Sequence, residues 1–252
     1  MGTGFQSFRE SDGKLQFDSS LMTLTCIGTG KVNTQARTVA GVGNTTPSAA
    51  LVPVSSATAI VAARGDGFGI SRFGVRSING TLYWVFATDA PIGTSVSYWV
   101  FDMTANVAVP EHGFGTQAFR EDGSLYFYSE LPIMIGAGII NEADAPIGLP
   151  GGRTYAAIMQ DLAGHNQSTD ALYRDGQPVR DGGDVGGRHV WSRKIDGKLT
   201  GVRFDGSRAS IVSISFDDVI GQTPGPADQP DPPTVYWSAP LTNALLIDVT
   251  GI

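Results

Sequence analysis

Acidic side chains beside predicted strands are the residues best suited to chemistry in this sequence. The four candidates are Glu121, Glu130, Asp217 and Asp218. A glycosidase needs only two carboxyl groups at the right separation. Glu121 lies in a repeated hairpin, where Glu10 matches it, and this indicates a structural role. Asp217 and Asp218 fall at a predicted strand end, where turns favour Asp. We therefore rank a glycan-cleaving enzyme last among three functional hypotheses.

Histidine, cysteine and glycine patterns form no complete catalytic or metal set in the sequence. The histidines are His112, His165 and His189. They stand singly, without the spacing of a zinc site, and the chain has no Gly-x-Ser-x-Gly elbow. Cys26 lies in an apolar run and is predicted to be a buried hydrophobe. We expect no catalytic residue, no metal and no cofactor, and hence a protein that is not an enzyme.

Two short patterns that contain Asp resemble ligand-binding motifs, but their spacing or length does not support that role. Asp175, Asp181 and Asp184 have calcium-type carboxylates, but their spacing fits neither an EF-hand nor a nonapeptide β-roll. Arg64-Gly65-Asp66 matches an integrin-binding tripeptide, and a match of three residues is common by chance. We interpret the first pattern as a solvated loop and the second as part of a turn.

Aromatic residues are the remaining candidates for binding. They are Tyr83, Trp84, Trp99, Tyr126, Tyr128, Trp191 and Trp237. In an adjacent pair on a strand, one ring points into the core and its neighbour points outward. Outward rings can stack on sugars or fill a subunit interface. Ordinary packing in a sandwich core is the alternative for each ring.

The composition predicts the elements that would position these residues. Apolar residues make up 41% of the 252, charged residues only 16%, and there are 33 glycines, as strands joined by many tight turns require. A net charge of −7 disfavours nucleic acid and anionic membranes as partners. The opening "MGTGFQSFRE" lacks the features of an export signal, so we expect synthesis in the cytoplasm. The class predicted is all-β.

One hairpin pattern occurs twice, about 110 residues apart. The copies read "SFRESDGKLQFDSSL" from Ser7 and "AFREDGSLYFYSEL" from Ala118. A unit recurring at this distance indicates a duplicated domain rather than a short repeat. The sequence therefore predicts two tandem, duplicated β-sandwich-like domains, over residues 1–108 and 109–252.

Local signals predict further elements. Asn79-Gly80 and Asp196-Gly197 are typical two-residue hairpin turns, and "AALVPVSSATAIVAA" (49–63) is read as two buried strands. A short helix is considered over 151–166. The polar, glycine-rich stretch at about 162–190 is read as an inserted loop, and residues 223–233, with five prolines, as an extended connector.

The amino terminus resembles the signature of tail-tip and baseplate proteins of long-tailed bacteriophages. In that signature a Gly-Phe-x-x-Phe opening leads to a Gly-Lys-Leu-x-Phe-Asp-Ser hairpin. The matching residues are Gly4, Phe5, Phe8, Gly13, Leu15, Phe17, Asp18 and Ser19. The second copy has Tyr128 in place of the Asp. The resemblance implies a virion component without enzymatic activity, often a trimer around the tail axis.

The leading hypothesis is thus a structural phage tail protein that assembles with other tail proteins and as a homo-oligomer, with a trimer favoured. Two duplicated modules in each of three chains would match a sixfold tube. The second hypothesis is a receptor- or carbohydrate-binding module that attaches to a host surface glycan or pilus through 162–190 and exposed Trp residues.

Overall fold

The computed structural model describes most of the chain. The described residues are 6–8, 15–18, 23–39, 42–107, 115–120, 122–141, 144–159, 164–174, 177–178, 189–224, 235–239 and 243–252. Side chains are described over 23–36, 48–107, 115–120, 122–141, 144–159, 198–215 and 243–252. Within these ranges the regular structure is β-strand apart from one 3-10 turn, Thr104–Asn106, so the all-β prediction is confirmed.

The strands of the first half of the sequence are β1 Gln6–Phe8, β2 Leu15–Asp18, β3 Leu24–Asn33, β4 Gln35–Val39, β5 Val42–Val54, β6 Ile60–Arg64, β7 Gly69–Ile78, β8 Thr81–Thr88 and β9 Ser95–Met103. Those of the second half are β10 Gln117–Phe119, β11 Leu125–Tyr128, β12 Ile135–Ile140, β13 Ile147–Gly148, β14 Tyr155–Met159, β15 Gly164–Arg174, β16 Gln177–Pro178, β17 His189–Asp205, β18 Arg208–Pro224, β19 Val235–Ala239 and β20 Ala244–Asp248.

Two large sheets pack face to face, and each takes strands from both halves of the sequence. The smaller sheet has the order β12-β20-β14-β6-β9-β3, and the larger contains β13-β18-β17-β7-β8-β5-β4, with β15, β16 and β19 branching from β17. Their shared core is one cluster that includes Ala50, Phe86, Val100, Ala157, Phe204 and Leu246. Each of the two large sheets therefore combines strands from both sides of the predicted boundary at 108/109.

The strand order of the smaller sheet is symmetric about its centre. The order β3-β9-β6 from the first half is matched by β12-β20-β14 from the second. At the centre β6 pairs antiparallel with β14 through Ala63 and Ala157. Antiparallel pairing of equivalent strands is the arrangement that a two-fold axis through the sheet produces. This symmetry agrees with the sequence repeat, and the duplication of a domain stays a prediction.

The outer ladders of this sheet agree pair by pair. In the first half the pairs are Thr25 with Asp102, Cys26 with Phe101 and Gly28 with Val100. In the second they are Ile135 with Asp248, Gly136 with Ile247 and Gly138 with Leu246. Each ladder skips one residue on the edge strand at the same step, Ile27 in one and Ala137 in the other. The two edge strands thus carry a β-bulge at the same step of their ladders.

The edges of the smaller sheet meet near Thr25. Thr25 pairs with Ile133, the Cys26 amide donates to the Pro132 carbonyl at 2.8 Å, and the Met134 amide donates to the Leu24 carbonyl at 2.8 Å. This curvature encloses a second apolar cluster on the sheet's other face. Its members are Cys26, Ala62, Trp99, Phe101, Ala156, Ile158, Ile247 and Val249. The central strands of the smaller sheet are therefore buried on both faces.

The repeated hairpin folds the same way in both copies. In β1 and β2 the pairs are Gln6 with Asp18, Ser7 with Phe17 and Phe8 with Leu15. In β10 and β11 they are Gln117 with Tyr128, Ala118 with Phe127 and Phe119 with Leu125. Both ladders shift register before the phenylalanine of the first strand. The prediction that the two segments are hairpins is confirmed.

The structure confirms one of the two predicted hairpin turns, Asn79-Gly80, and contradicts the other, Asp196-Gly197. Asn79 and Gly80 have φ of 50° and 83° and join β7 to β8, as predicted. Asp196-Gly197 is not a turn, because both residues pair within β17 against Asp217 and Phe216. The turn between β17 and β18 comes later, at Gly206, where φ is 59°.

Other local predictions are corrected in the same region. The helix considered over 151–166 is absent from its described residues, where Tyr155–Met159 form the buried strand β14. The proposed loop at 162–190 contains β15, which pairs along its full length with β17. The two strands predicted over 49–63 are confirmed as parts of β5 and β6. Residues 225–233 of the proline-rich connector lie outside the described residues.

Candidate functional site

The predicted binding aromatics are mostly buried. Four are at most 8% exposed: Trp84, Trp99, Tyr126 and Tyr128. Tyr83 is half-buried. The backbones of Trp191 and Trp237 lie in β17 and β19, and their side chains are outside the described set. These four rings therefore take the alternative role of core packing, and Tyr83 is only partly accessible.

Burial of the central strands on both faces explains why these rings are buried. Tyr98 packs against the core between the sheets, and its neighbour Trp99 points into the enclosed cluster. Alternation along β9 therefore sends both rings into apolar surroundings. The Trp99 Nε1 and Tyr128 hydroxyl are buried without a hydrogen-bond partner among the described residues. Trp99 and Tyr128 therefore contribute to packing rather than to an exposed aromatic surface.

Of the candidate carboxylates, only Glu130 has a described side chain. Glu130 is exposed in the turn after β11, while Asp217 and Asp218 lie inside β18 rather than at its end. Glu121, His112 and the three acidic loop residues Asp175, Asp181 and Asp184 lie outside the described residues. The side chains of His165 and His189 are also undescribed. Among the side chains that are described, no three His, Cys, Asp or Glu are grouped to hold a metal.

Arg64 of the Arg-Gly-Asp tripeptide has an internal role. Its Nε donates to the Asp66 carboxylate at 2.7 Å and its Nη1 to the Tyr155 carbonyl at 3.0 Å. Its guanidinium also lies 4.9 Å from the centre of the Phe204 ring. Arg64 therefore links strands of the two halves instead of being presented at a turn. Cys26 is buried as predicted, and burial raises the pKa of its thiol.

Two buried aspartates occupy equivalent places at the ends of β9 and β20. The Asp102 carboxylate accepts from the Met103 amide at 2.7 Å and from the Asn106 amide group at 3.0 Å. The Asp248 carboxylate accepts from the Thr250 amide at 3.0 Å and from Arg153. Burial opposes ionisation of Asp248, but bonds from Thr250 and Arg153 outweigh it and lower its pKa. These carboxylates tie down strand ends.

Asp248→Asn should destabilise the fold at neutral pH and less so in acid. A carboxyl group whose folded pKa is lowered contributes its stability above the unfolded value of about 3.9 and loses it as the pH falls through the folded value. The difference in unfolding free energy between wild type and variant should therefore shrink below about pH 4. Denaturant unfolding across this range measures it. Asp205→Asn, at a half-exposed carboxylate, is the control, and a pH-independent difference for Asp248→Asn would contradict the assignment.

The most unusual described surface is the edge strand β12. Its residues Ile135 to Ile139 are all exposed, and Ile135 and Ile139 are 52% and 57% accessible. The strand reads Ile-Gly-Ala-Gly-Ile before buried Ile140 and carries no charge. Sequence reasoning missed it. The available signal was its likeness to "CIGTG" of β3, which occupies the opposite edge.

Comparisons with protein-family models, with curated proteins and with solved structures found no match to this chain. Among the described residues, no helix has the length and apolar character needed to span a bilayer.

Proposed function

We propose that this chain is a non-enzymatic structural component of a bacteriophage tail tip or baseplate and that it assembles with other tail proteins in the virion. The support is the resemblance of residues 4–19 to the tail-protein signature, together with a fold of packed sheets that exposes an apolar edge strand. Among the described side chains, no catalytic residues lie close enough together to indicate a reaction.

The repeated hairpin is the observation that carries the proposal. The segment with the resemblance contains the ladder β1·β2, and the second copy repeats its register and its bulge. A short hairpin alone is marginally stable in water, and this one occurs twice, each time shortly before an edge strand in the sequence, which favours a role in assembly. We infer that both halves descend from one module.

The structure does not support the argument by which the sequence predicted three copies of this chain in the virion. Three copies were predicted because two separate modules per chain could follow a sixfold ring. The antiparallel pairing of β6 with β14 relates the halves by a half-turn, whereas a sixfold ring needs a rotation of one sixth. The described strands therefore do not support this basis for a trimer.

Host attachment is the second candidate. In this hypothesis, the long ladder of β15 with β17 carries Trp191 opposite Leu172, in a segment that the first half lacks. Trp191→Ala should then weaken binding to host cells while the assembly of the protein is unchanged. Loss of assembly without an effect on cell binding would exclude it.

Detection in purified particles tests the proposed function. Antibodies against the folded protein should label the tail end of intact virions, and the chain should co-purify with particles through a density gradient. An unrelated cytoplasmic protein of the infected host serves as the control for contamination. Recovery only in the soluble lysate, at the level of that control, would refute a virion role.

A further inference from the structure

The ends of β9 and β20 lie in matching ladders, but only the end of β9 is covered. Thr25 pairs with Asp102 in the first ladder and Ile135 pairs with Asp248 in the second, so Ile135 occupies the place of Thr25. Thr25 is fully buried, whereas Ile135 is 52% accessible. The same position in the two ladders therefore has a different environment in each half of the sheet.

The hairpin β10–β11 provides the cover beside β9. Strand β11 packs against the turn Thr104–Asn106 that follows β9. The Thr23 hydroxyl donates to the Tyr126 carbonyl of β11, and it lies 2.9 Å from the Thr104 hydroxyl. The Thr104 hydroxyl lies in turn 2.7 Å from the hydroxyl of Thr25. This chain of hydroxyl groups connects the hairpin to the start of β3 and to the turn after β9.

The corresponding place beside β20 is open and more apolar. Ile133 and Ile135 take the positions of Thr23 and Thr25, so aliphatic side chains replace two hydroxyl groups. Thr250, in the turn that follows β20, is exposed. We call Ile133, Ile135 and Thr250 the β20 site. An exposed apolar side chain at a place that is covered in the other half indicates that a partner covers it.

The hairpin β1–β2 is the segment that matches the β20 site, because it is the second copy of the hairpin that covers β9. It has the register and the bulge of β10–β11, and Leu15 and Phe17 recur there as Leu125 and Phe127. Among the described strands, β1 and β2 form a ladder only with each other. Since Ile135 is accessible in the single chain, a hairpin from another copy is needed to close the site.

We propose that β1–β2 of one copy of this chain docks on the β20 site of a second copy, as β10–β11 docks beside β9 within one chain. The contact joins two different surfaces, so copies associate through it head to tail. It buries the Ile135 side chain of the receiving copy. This docking does not depend on the proposed tail function, because it follows from the matching ladders and hairpins alone.

Cross-linking between two different variants tests the contact. Gln16 corresponds to Tyr126, so Gln16→Cys of one copy should lie near Ile135→Cys of another. A mixture of the two purified variants, treated with a short bismaleimide, should give a covalent product of twice the chain mass. Native Cys26 is buried, so each chain carries one accessible thiol and the product must join separate chains.

The matched control replaces Ile135→Cys by Ile92→Cys, at a 66% exposed loop position. Each variant treated alone measures the product that forms between identical chains. A mixture of Gln16→Cys with Ile135→Cys that yields no more product than these controls overturns the proposal.

The double variant Gln16→Cys/Ile135→Cys separates docking between copies from docking within one chain. Docking between copies predicts cross-linked species of two or more chains, whose yield rises with protein concentration. Docking within one chain predicts an internally linked single chain, which migrates faster on a denaturing gel at every concentration. An internally linked product that predominates at all concentrations overturns the proposal.

Charge substitution at the β20 site tests the contact without a cross-link. Sedimentation at micromolar concentration should give the wild type at least twice the mass of one chain, and Ile135→Lys should weaken association at least tenfold. Ile135 is exposed, so folding should be unaffected, as the melting temperature will verify. Ile92→Lys should leave association intact. A wild type of single-chain mass, or association that Ile135→Lys does not change, overturns the proposal.

Discussion

Phe101→Ala is expected to lower the free energy of unfolding by about 3–5 kcal/mol. Phe101 is fully buried in the cluster enclosed by the smaller sheet, beside residues of both halves. Removing its ring leaves a cavity that the surrounding strands cannot fill, because their hydrogen bonds fix their spacing. Equilibrium unfolding in urea measures the change.

Phe119→Ala is the matched control for that experiment. Phe119 is 55% exposed in β10, so the same change of residue type should alter stability by no more than about 0.5 kcal/mol. A comparable loss in both variants would mean that the enclosed cluster does not stabilise the fold. A small loss in both would show that the inner face of the sheet is accessible to water.

Gly201→Ala should be the most damaging single-methyl substitution at the junction of the halves. A Cβ at this position would clash with the Ile70 carbonyl oxygen and lie 2.7 Å from its carbon. Ile70 pairs with Val202 where β7 meets β17, so the clash falls on backbone that is held in a ladder. Overpacking of this kind costs about 1–3 kcal/mol, and occasionally more.

Gly148→Ala provides the comparison for Gly201→Ala. Gly148 also lies in a strand, has no positive φ, and has open space around an added Cβ. Its substitution should be neutral or stabilising by up to about 1 kcal/mol, because alanine restricts the unfolded chain. Thermal unfolding of both variants measures the contrast, and equal melting temperatures would contradict the close contact between β17 and β7.

Local chemistry made parts of the fold predictable. Asn79-Gly80 can adopt positive φ, and alternating apolar residues flank it, so the hairpin followed from neighbouring residues alone. The two Phe-containing hairpins were recognisable because each copy supports the interpretation of the other. The burial of Cys26 was predicted correctly because a run of apolar residues is expected to lie in the core.

Long-range pairing decided the features that sequence reasoning missed. The residues Tyr-Ala-Ala-Ile-Met of β14 have mixed propensity and become a strand because β6 and β20 flank them. Asp196-Gly197 has the chemistry of a turn but lies inside β17, since partners continue on both sides. The burial of Trp99 depends on the meeting of Thr25 with Ile133, which no local pattern encodes.

Cooperativity of unfolding tests most directly the claim that both halves share one core. Calorimetry on wild type, Phe101→Ala from the first half and Leu246→Ala from the second should give a single transition in each protein. Both substitutions should move that whole transition to lower temperature, because Phe101 and Leu246 are fully buried in the same folded unit. Two transitions, each shifted by only one of the substitutions, would contradict a shared core.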